Sequence, residues 1–326
     1  MKRLSFILGV FLGLAAGVAL LFHERYRGFE GETFVRFNRG TGTLEMGRAL
    51  AQAGVIRFPW ELWAERVLDP SAKLQAGEYR FDRAATIAEV FHRIARGDVY
   101  YFEFTVPEGS NIFDIASSLE QQGVMPAAGF QEAAADPKLI RDLAPSAPTL
   151  EGFLFPATYR VNHMTTAADL CKQMTDNFRR QWRKVSRGSA NPQETVTLAS
   201  LIEKETGVSA ERPLVASVFS NRLQKGMRLE CDPTTIYAAL LENRYRRAIH
   251  KSDLASHNPY NTYQHAGLPP GPIANPGIES IEAALHPAET DFLYFVAKPE
   301  GGGHNFSRDL ASHNRATRAY RKKSRS

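Results

Sequence analysis

The sequence predicts an α+β protein built from one N-terminal transmembrane helix, a small α+β subdomain and a larger mixed α/β domain. Three observations predict it. Leu4 to Phe22, LSFILGVFLGLAAGVALLF, carries no charge and has about the ~20 residues an α-helix needs to cross a ~30 Å hydrocarbon core. From Gly28 onward, short β-like runs alternate with amphipathic helix patterns. Beyond Thr165 long helical stripes dominate, interrupted by one loop rich in proline and glycine. The boundaries read as an anchor over 1–27, an α+β region over 28–150 with its subdomain at about 100–150, a main domain over 151–320, and a basic tail over 321–326.

Composition narrows the class. The chain has 326 residues, 43% of them hydrophobic, which suits a globular protein and excludes collagen-like or disordered chains. Cys171 and Cys231 are too few for a disulfide framework or a thiolate metal site. The net charge of +5 is mild and gathers at the C-terminus, in Arg315, Arg318, Arg321, Lys322, Lys323 and Arg325. Such an end reads as solvated, and no nucleic-acid partner is expected. The apolar N-terminal run is longer than a secretory signal core and lacks a clean A-x-A cleavage site, so an uncleaved anchor is expected. Lys2 and Arg3 before it nearly balance Arg25 and Arg27 after it, so flanking charge does not set its orientation.

The elements follow in order. ETFVRF and AGEYRF read as strands; TLEMGRALAQAGVI and TIAEVFHRIARG read as helices closed by glycine. A weaker echo follows: FEFTVPEG resembles TFVRFNRG, NIFDIASSLEQQGVM resembles TLEMGRALAQAGVI, and LEGFLFPATYRV resembles LQAGEYRF. A two-fold repeat of a strand–helix unit is implied. VPEGSNIFDIASSLEQQGV also resembles the opening of a LysM-like glycan-binding module, the alternative being a plain α+β spacer. AADLCKQMTDNFRRQW then places Leu170, Met174, Phe178 and Trp182 on one helical stripe.

The next helix carries the chemistry. Asn191, Pro192 and Glu194 form a helix start, and Gly207 a stop, which predicts a helix from Pro192 to Thr206. At ~100° per residue, Leu198, Leu201 and Ile202 share a face and Glu205 falls inside it, while Glu203 points away. A carboxyl on a core-facing stripe needs a cationic partner, such as Arg222 or Arg228, or else a raised pKa that leaves it a proton to donate. ERPLVASVFSNRLQKGM reads as a further helix, and DPTTIYAALL as another, with Asp232 as its N-cap. Ser256 to Gly277 forms a long loop with five prolines, stiff without regular structure and rich in rings and amides that suit a sugar-binding wall. IESIEAALHPA reads as a helix, DFLYFVAK as a buried strand, and the GGGHNFSRDLASHNRATRAY segment as a glycine turn and a final helix. Nine scattered histidines show no H-E-x-x-H, and no phosphate loop or G-x-S-x-G elbow occurs, so neither metal nor cofactor is expected.

The runs LASLIEKET, VASVFSNRL, GMRLECDPTTIY, YNTYQHAGLPPGPIANPG and HNFSRDLASHN, in this order, resemble the MltG (YceG-like) family of endolytic murein transglycosylases. The resemblance covers about Glu151 to Tyr320 and implies a YceG-like catalytic domain behind a LysM-like segment. It further implies a single-pass anchor in the inner membrane, a catalytic domain on the periplasmic side, peptidoglycan glycan strands as substrate, and cell-wall synthesis proteins as partners. It selects Glu205, with Glu203 as the alternative. The implied reaction cleaves the β-1,4 bond between N-acetylmuramic acid and N-acetylglucosamine without water. Glu205 acts first as acid, then as base toward the muramyl 6-hydroxyl, leaving a 1,6-anhydro end. Asn221, Tyr237, Tyr260 and Tyr263 are the expected substrate contacts, with core packing the alternative for Tyr237. Two rivals stand beside this reading: a muramidase using Asp232 as a second carboxylate, and a membrane-tethered scaffold that binds glycan without cutting it.

Overall fold

The computed structural model describes residues 22–186, 188 and 190–323. The anchor expected over Leu4 to Phe22 lies outside them, save its last residue. Among the described residues no helix is long and apolar enough to cross a membrane. The fold is α+β, with many helices and small two-stranded sheets. It divides into two compact units: one runs to Phe102 and takes in Arg160–Met164, and the other holds Glu103–Tyr159 and everything from Thr165 onward.

The first unit runs β1 (Thr33–Phe37), α1 (Thr43–Gln52), α2 (Pro59–Leu68), β2 (Gly77–Phe81) and α3 (Ile87–Arg96). The two strands pair antiparallel, Thr33 opposite Phe81 and Phe37 opposite Gly77. Alternation puts Val35, Phe37, Tyr79 and Phe81 in one core with Leu50 and Phe91. Thr86 starts α3 by a capping box with Glu89, and Gly97 ends it at φ 70°. Sequence patterning misses α2. That helix turns Glu61 and Leu62 inward and leaves Trp60, Trp63 and Val67 exposed, so its apolar positions do not mark a buried stripe.

The order repeats further along the chain, mostly in the second unit: β3 (Phe102–Thr105), α4 (Ile112–Gln121), α5 (Ala127–Ala135), β4 (Thr158–Val161, its Arg160 and Val161 counted with the first unit) and α6 (Ala167–Val185). Each repeat is thus strand–helix–helix–strand–helix, one helix richer than the patterning suggests. The α6 stripe is as expected, with Leu170, Met174, Phe178 and Trp182 buried. The unit continues with α7 (Pro192–Glu205), α8 (Arg212–Gln224), α9 (Asp232–Leu241), the short α10 (Lys251–Leu254) and α11 (Ile278–Leu285). A hairpin of β5 (Tyr294–Ala297) and β6 (His304–Ser307) and the final helix α12 (Leu310–Lys323) complete it. Helix α12 runs through Arg321 to Lys323, which are exposed; the rest of the basic tail expected over 321–326 lies outside the described residues.

A buried carboxyl organises this unit. Glu151 accepts hydrogen bonds from Ile112 N–H (2.9 Å), the Tyr237 hydroxyl (3.0 Å) and the Asn275 amide (2.8 Å). It thereby ties the start of α4 to α9 and to the proline-rich loop. That loop has no regular structure but is well packed: Tyr260, Asn261, Ile273 and Asn275 are buried.

Candidate active site

Helix α7 delivers the acid. The Asn191 side chain accepts from the N–H groups of Gln193 (3.0 Å) and Glu194 (3.4 Å), and Pro192 occupies the first helical position. These features start the helix where orphan N–H groups need partners. Leu201 and Ile202 are fully buried against Val215 and Phe219 of α8, so the face they define is fixed. Glu205 lies on that face and is the last helical residue, one short of the expected end. Its carboxyl opens into a cavity of about 330 Å³ whose walls include Cys231, Asp232, Tyr263, His304 and His313. Burial pushes Glu205 above the ordinary carboxylate range and Asp232 adds to the rise, against a hydrogen bond with Cys231 and the field of His304. The negative end of the helix dipole acts in the same direction as burial.

No cation among the described residues forms a salt bridge with Glu205. Arg222 is buried and spends its guanidinium on the carbonyls of Leu293 (2.7 Å), Arg228 (3.1 Å) and Leu229 (3.0 Å) and on Glu230 (3.3 Å). Arg228 donates to the Tyr263 carbonyl. Glu203 is placed quite differently. Its side chain is 7% exposed, lies 3.4 Å from Arg212, and accepts from Gly277 N–H at 2.9 Å. Arg212 also meets Glu108 and Glu279. Glu203 is therefore a member of a buried ion-pair cluster, whereas Glu205 faces open space.

The four expected contact residues scatter. Tyr263 lines the cavity and donates to Asp232 Oδ1 at 2.7 Å. Tyr237 is buried, with its hydroxyl on Glu151 and its ring 5.1 Å from that of Tyr260. Burial pushes the Tyr260 hydroxyl up to about 12. Asn221 gives its amide protons to the carbonyls of Thr290 (2.7 Å) and Phe292 (3.0 Å), tying α8 to the segment before β5. Neither Asn221, Tyr237 nor Tyr260 is among the residues lining the cavity. Asp232 begins α9 as a helical residue, Cys231 taking the N-cap position, and its side chain makes no cap. Its acceptor capacity goes to Tyr263.

Patterning gave no reason to single out one neighbour. His304 donates its backbone N–H to Glu211 Oε1 (2.8 Å), and its ring Nδ1 lies 2.7 Å from Glu211 Oε2. Burial opposes the charge on Glu211, yet these two bonds hold it below the usual range. The other ring nitrogen is left for the cavity that His304 lines. Gly303 permits this approach: at φ 138°, a Cβ there would lie 2.2 Å from Glu211 Oε1. The two partners are 93 positions apart, and no local signal joins them. Among the described residues no group of three His, Cys, Asp or Glu could hold a metal.

Known proteins share this arrangement of the chain. A family model described as the YceG-like family matches residues 35–319. The chain belongs to the YceG-like family. A Bacillus subtilis relative named endolytic murein transglycosylase is 35% identical over 266 residues, covering 76% of this chain and 73% of the relative. A Streptococcus pneumoniae relative of the same name is 27% identical over 308 residues, covering 85% of this chain but only 56% of its own length. A crystal structure of a YceG-like protein from Listeria monocytogenes, 28% identical, superposes with a TM-score of 0.56 over 88% of this chain and 99% of that one.

A larger cavity in this YceG-like chain, about 670 Å³, lies beside Lys184, Ser209, Arg212, Glu279, Glu282 and His286. Its principal cation, Arg212, is already committed to three carboxylates. Size alone thus points away from the acid that has no salt bridge among the described residues, and the smaller cavity is the candidate site.

Proposed function

We propose that this YceG-like chain is an endolytic murein transglycosylase acting through Glu205. It cleaves the MurNAc-β-1,4-GlcNAc bond inside nascent peptidoglycan strands and leaves 1,6-anhydroMurNAc ends, terminating strand elongation. The observation that carries the assignment to Glu205 is its carboxyl: raised by burial, in no salt bridge with the described residues, and open to the cavity. In the neutral form it hands its proton to the glycosidic oxygen as the C1–O bond breaks. As carboxylate it takes the proton of the muramyl 6-hydroxyl while O6 closes on C1. A second carboxylate is not needed, because the substrate supplies the nucleophile. Tyr263 and His304, on the walls beside Glu205, are placed to meet the sugar.

Residues 4–22 form the single-pass anchor in this reading, with the domain on the extracytoplasmic face of the inner membrane, where its substrate lies. The LysM-like segment at about 100–150 holds the strand, and cell-wall synthesis proteins bring it near. Asp232, on the same wall as Glu205, supports one rival, a hydrolytic muramidase. Mass spectrometry of products from uncrosslinked glycan strands separates the two. Anhydro ends from the parent and none from Glu205→Gln are expected. Reducing ends would select the muramidase, full activity in the variant would remove Glu205 from the mechanism, and binding without cleavage by both would select a scaffold.

A further inference from the structure

Helix α2 of the first unit is inside out. Leu62 is fully buried and Glu61 is 5% exposed, while Trp60, Trp63 and Val67 are 40, 55 and 53% exposed. At ~100° per residue these last three share one face. Phe58, at the helix start, is 46% exposed. The Phe58 and Trp60 rings stack at 6.0 Å. A contiguous aromatic and aliphatic face left in water marks a docking surface.

The occupant follows from where the apolar N-terminal run ends. Its last residue, Phe22, is half-buried against the first unit's core, and its ring lies 6.0 Å from that of Trp60. A membrane helix over Leu4 to Phe22 would thus leave the bilayer beside the exposed face. Trp63 follows one turn along the same face, about 4.5 Å from Trp60 at ~1.5 Å per residue. Tryptophan favours the headgroup layer, having a large apolar ring and one N–H for the wet side. Arginines border the face: Arg57, paired with Glu24 and over the Tyr26 ring, and Arg66, bonded to the Asp69 carbonyl. We infer that the outer face of α2 beds into the lipid headgroup layer next to the anchor and so holds the first unit against the membrane. This rests on the anchor reading and is independent of the chemistry assigned to Glu205.

The chain has three tryptophans, and the third, Trp182, is buried in the other unit. Full-length chain is reconstituted in liposomes whose lipids carry bromine near the glycerol end of the acyl chain. Trp182→Phe should keep the lipid-dependent quenching, and the double variant Trp60→Ser, Trp63→Ser should lose it. Trp63→Glu should weaken the quenching with an unchanged thermal midpoint. Flotation with the liposomes, measured in parallel, reports the anchor separately. A chain that floats while Trp60 and Trp63 escape bromine and yield to aqueous iodide overturns the docking and leaves the anchor standing. A chain that does not float overturns both. Quenching by a co-purified protein's acceptor label in place of bromine would assign the face to a protein partner and overturn the lipid assignment.

Discussion

Replacing Tyr237 by Phe tests whether this ring belongs to the substrate or to the core. The substitution keeps the ring contacts with Phe113 (6.2 Å) and Tyr260 (5.1 Å) and removes only the hydroxyl that donates to Glu151 at 3.0 Å. A hydrogen bond to a buried charged or chargeable group contributes about 1.5–3 kcal/mol. A loss near ~2 kcal/mol in a unit of this size lowers the thermal midpoint by roughly 4–8 °C. The loss should depend on pH. Burial raises the Glu151 carboxyl to about 8, against the bonds from Ile112 and Tyr237. Its folded pKa thus lies above the unfolded value, so stability is fullest below the unfolded value and falls as pH rises toward 8. Above pH 8 the ionised carboxylate needs its donors most, so the Tyr237→Phe variant should lose more at pH 9 than at pH 6. Thermal melts at both pH values check this, alongside product release well below the midpoint. An unchanged midpoint with lost cleavage would refute the core assignment and make Tyr237 a substrate contact.

Three other outcomes are expected. Glu203→Gln should cost about 1–3 kcal/mol through its buried partner Arg212 and leave the anhydro ends unchanged by mass spectrometry. Gly54→Ala should destabilise the first unit by at least ~1–2 kcal/mol in denaturant unfolding, because a Cβ there meets the Gly28 carbonyl at 2.6 Å with φ at +70°. Both cysteines should resist a maleimide in the native chain at neutral pH and react on unfolding. Burial pushes the Cys171 thiol up to about 12 and the Cys231 thiol well above its ordinary range, and both are free.

Local order was readable because it is written within a few turns of chain. The Asn191–Pro192–Glu194 start, the α6 stripe and the β1 and β2 alternations each involve residues less than one element apart. The same periodicity separated Glu205 from Glu203, but the far side of α7 is not a solvent face: Val196 and Ser200 are fully buried there, and the Glu203 side chain is 7% exposed beside Arg212. Helix α2 escaped because its apolar residues face outward, which inverts the rule that reads a stripe as core.

What the tertiary structure alone decided is the company each side chain keeps. Asn221 and Tyr237, attractive as polar and aromatic sugar contacts, spend their hydrogen bonds on Thr290, Phe292 and Glu151. Those partners lie 69 or more positions away in sequence, beyond the reach of any periodicity. His304 meets Glu211 only because the β5–β6 hairpin returns beside the loop after α7, through a glycine that leaves room. Sequence by itself determines which residues share a face, since backbone geometry repeats every few residues. Whether that face meets a cation, a cavity or water depends on segments brought together by burial, which has no fixed distance along the chain.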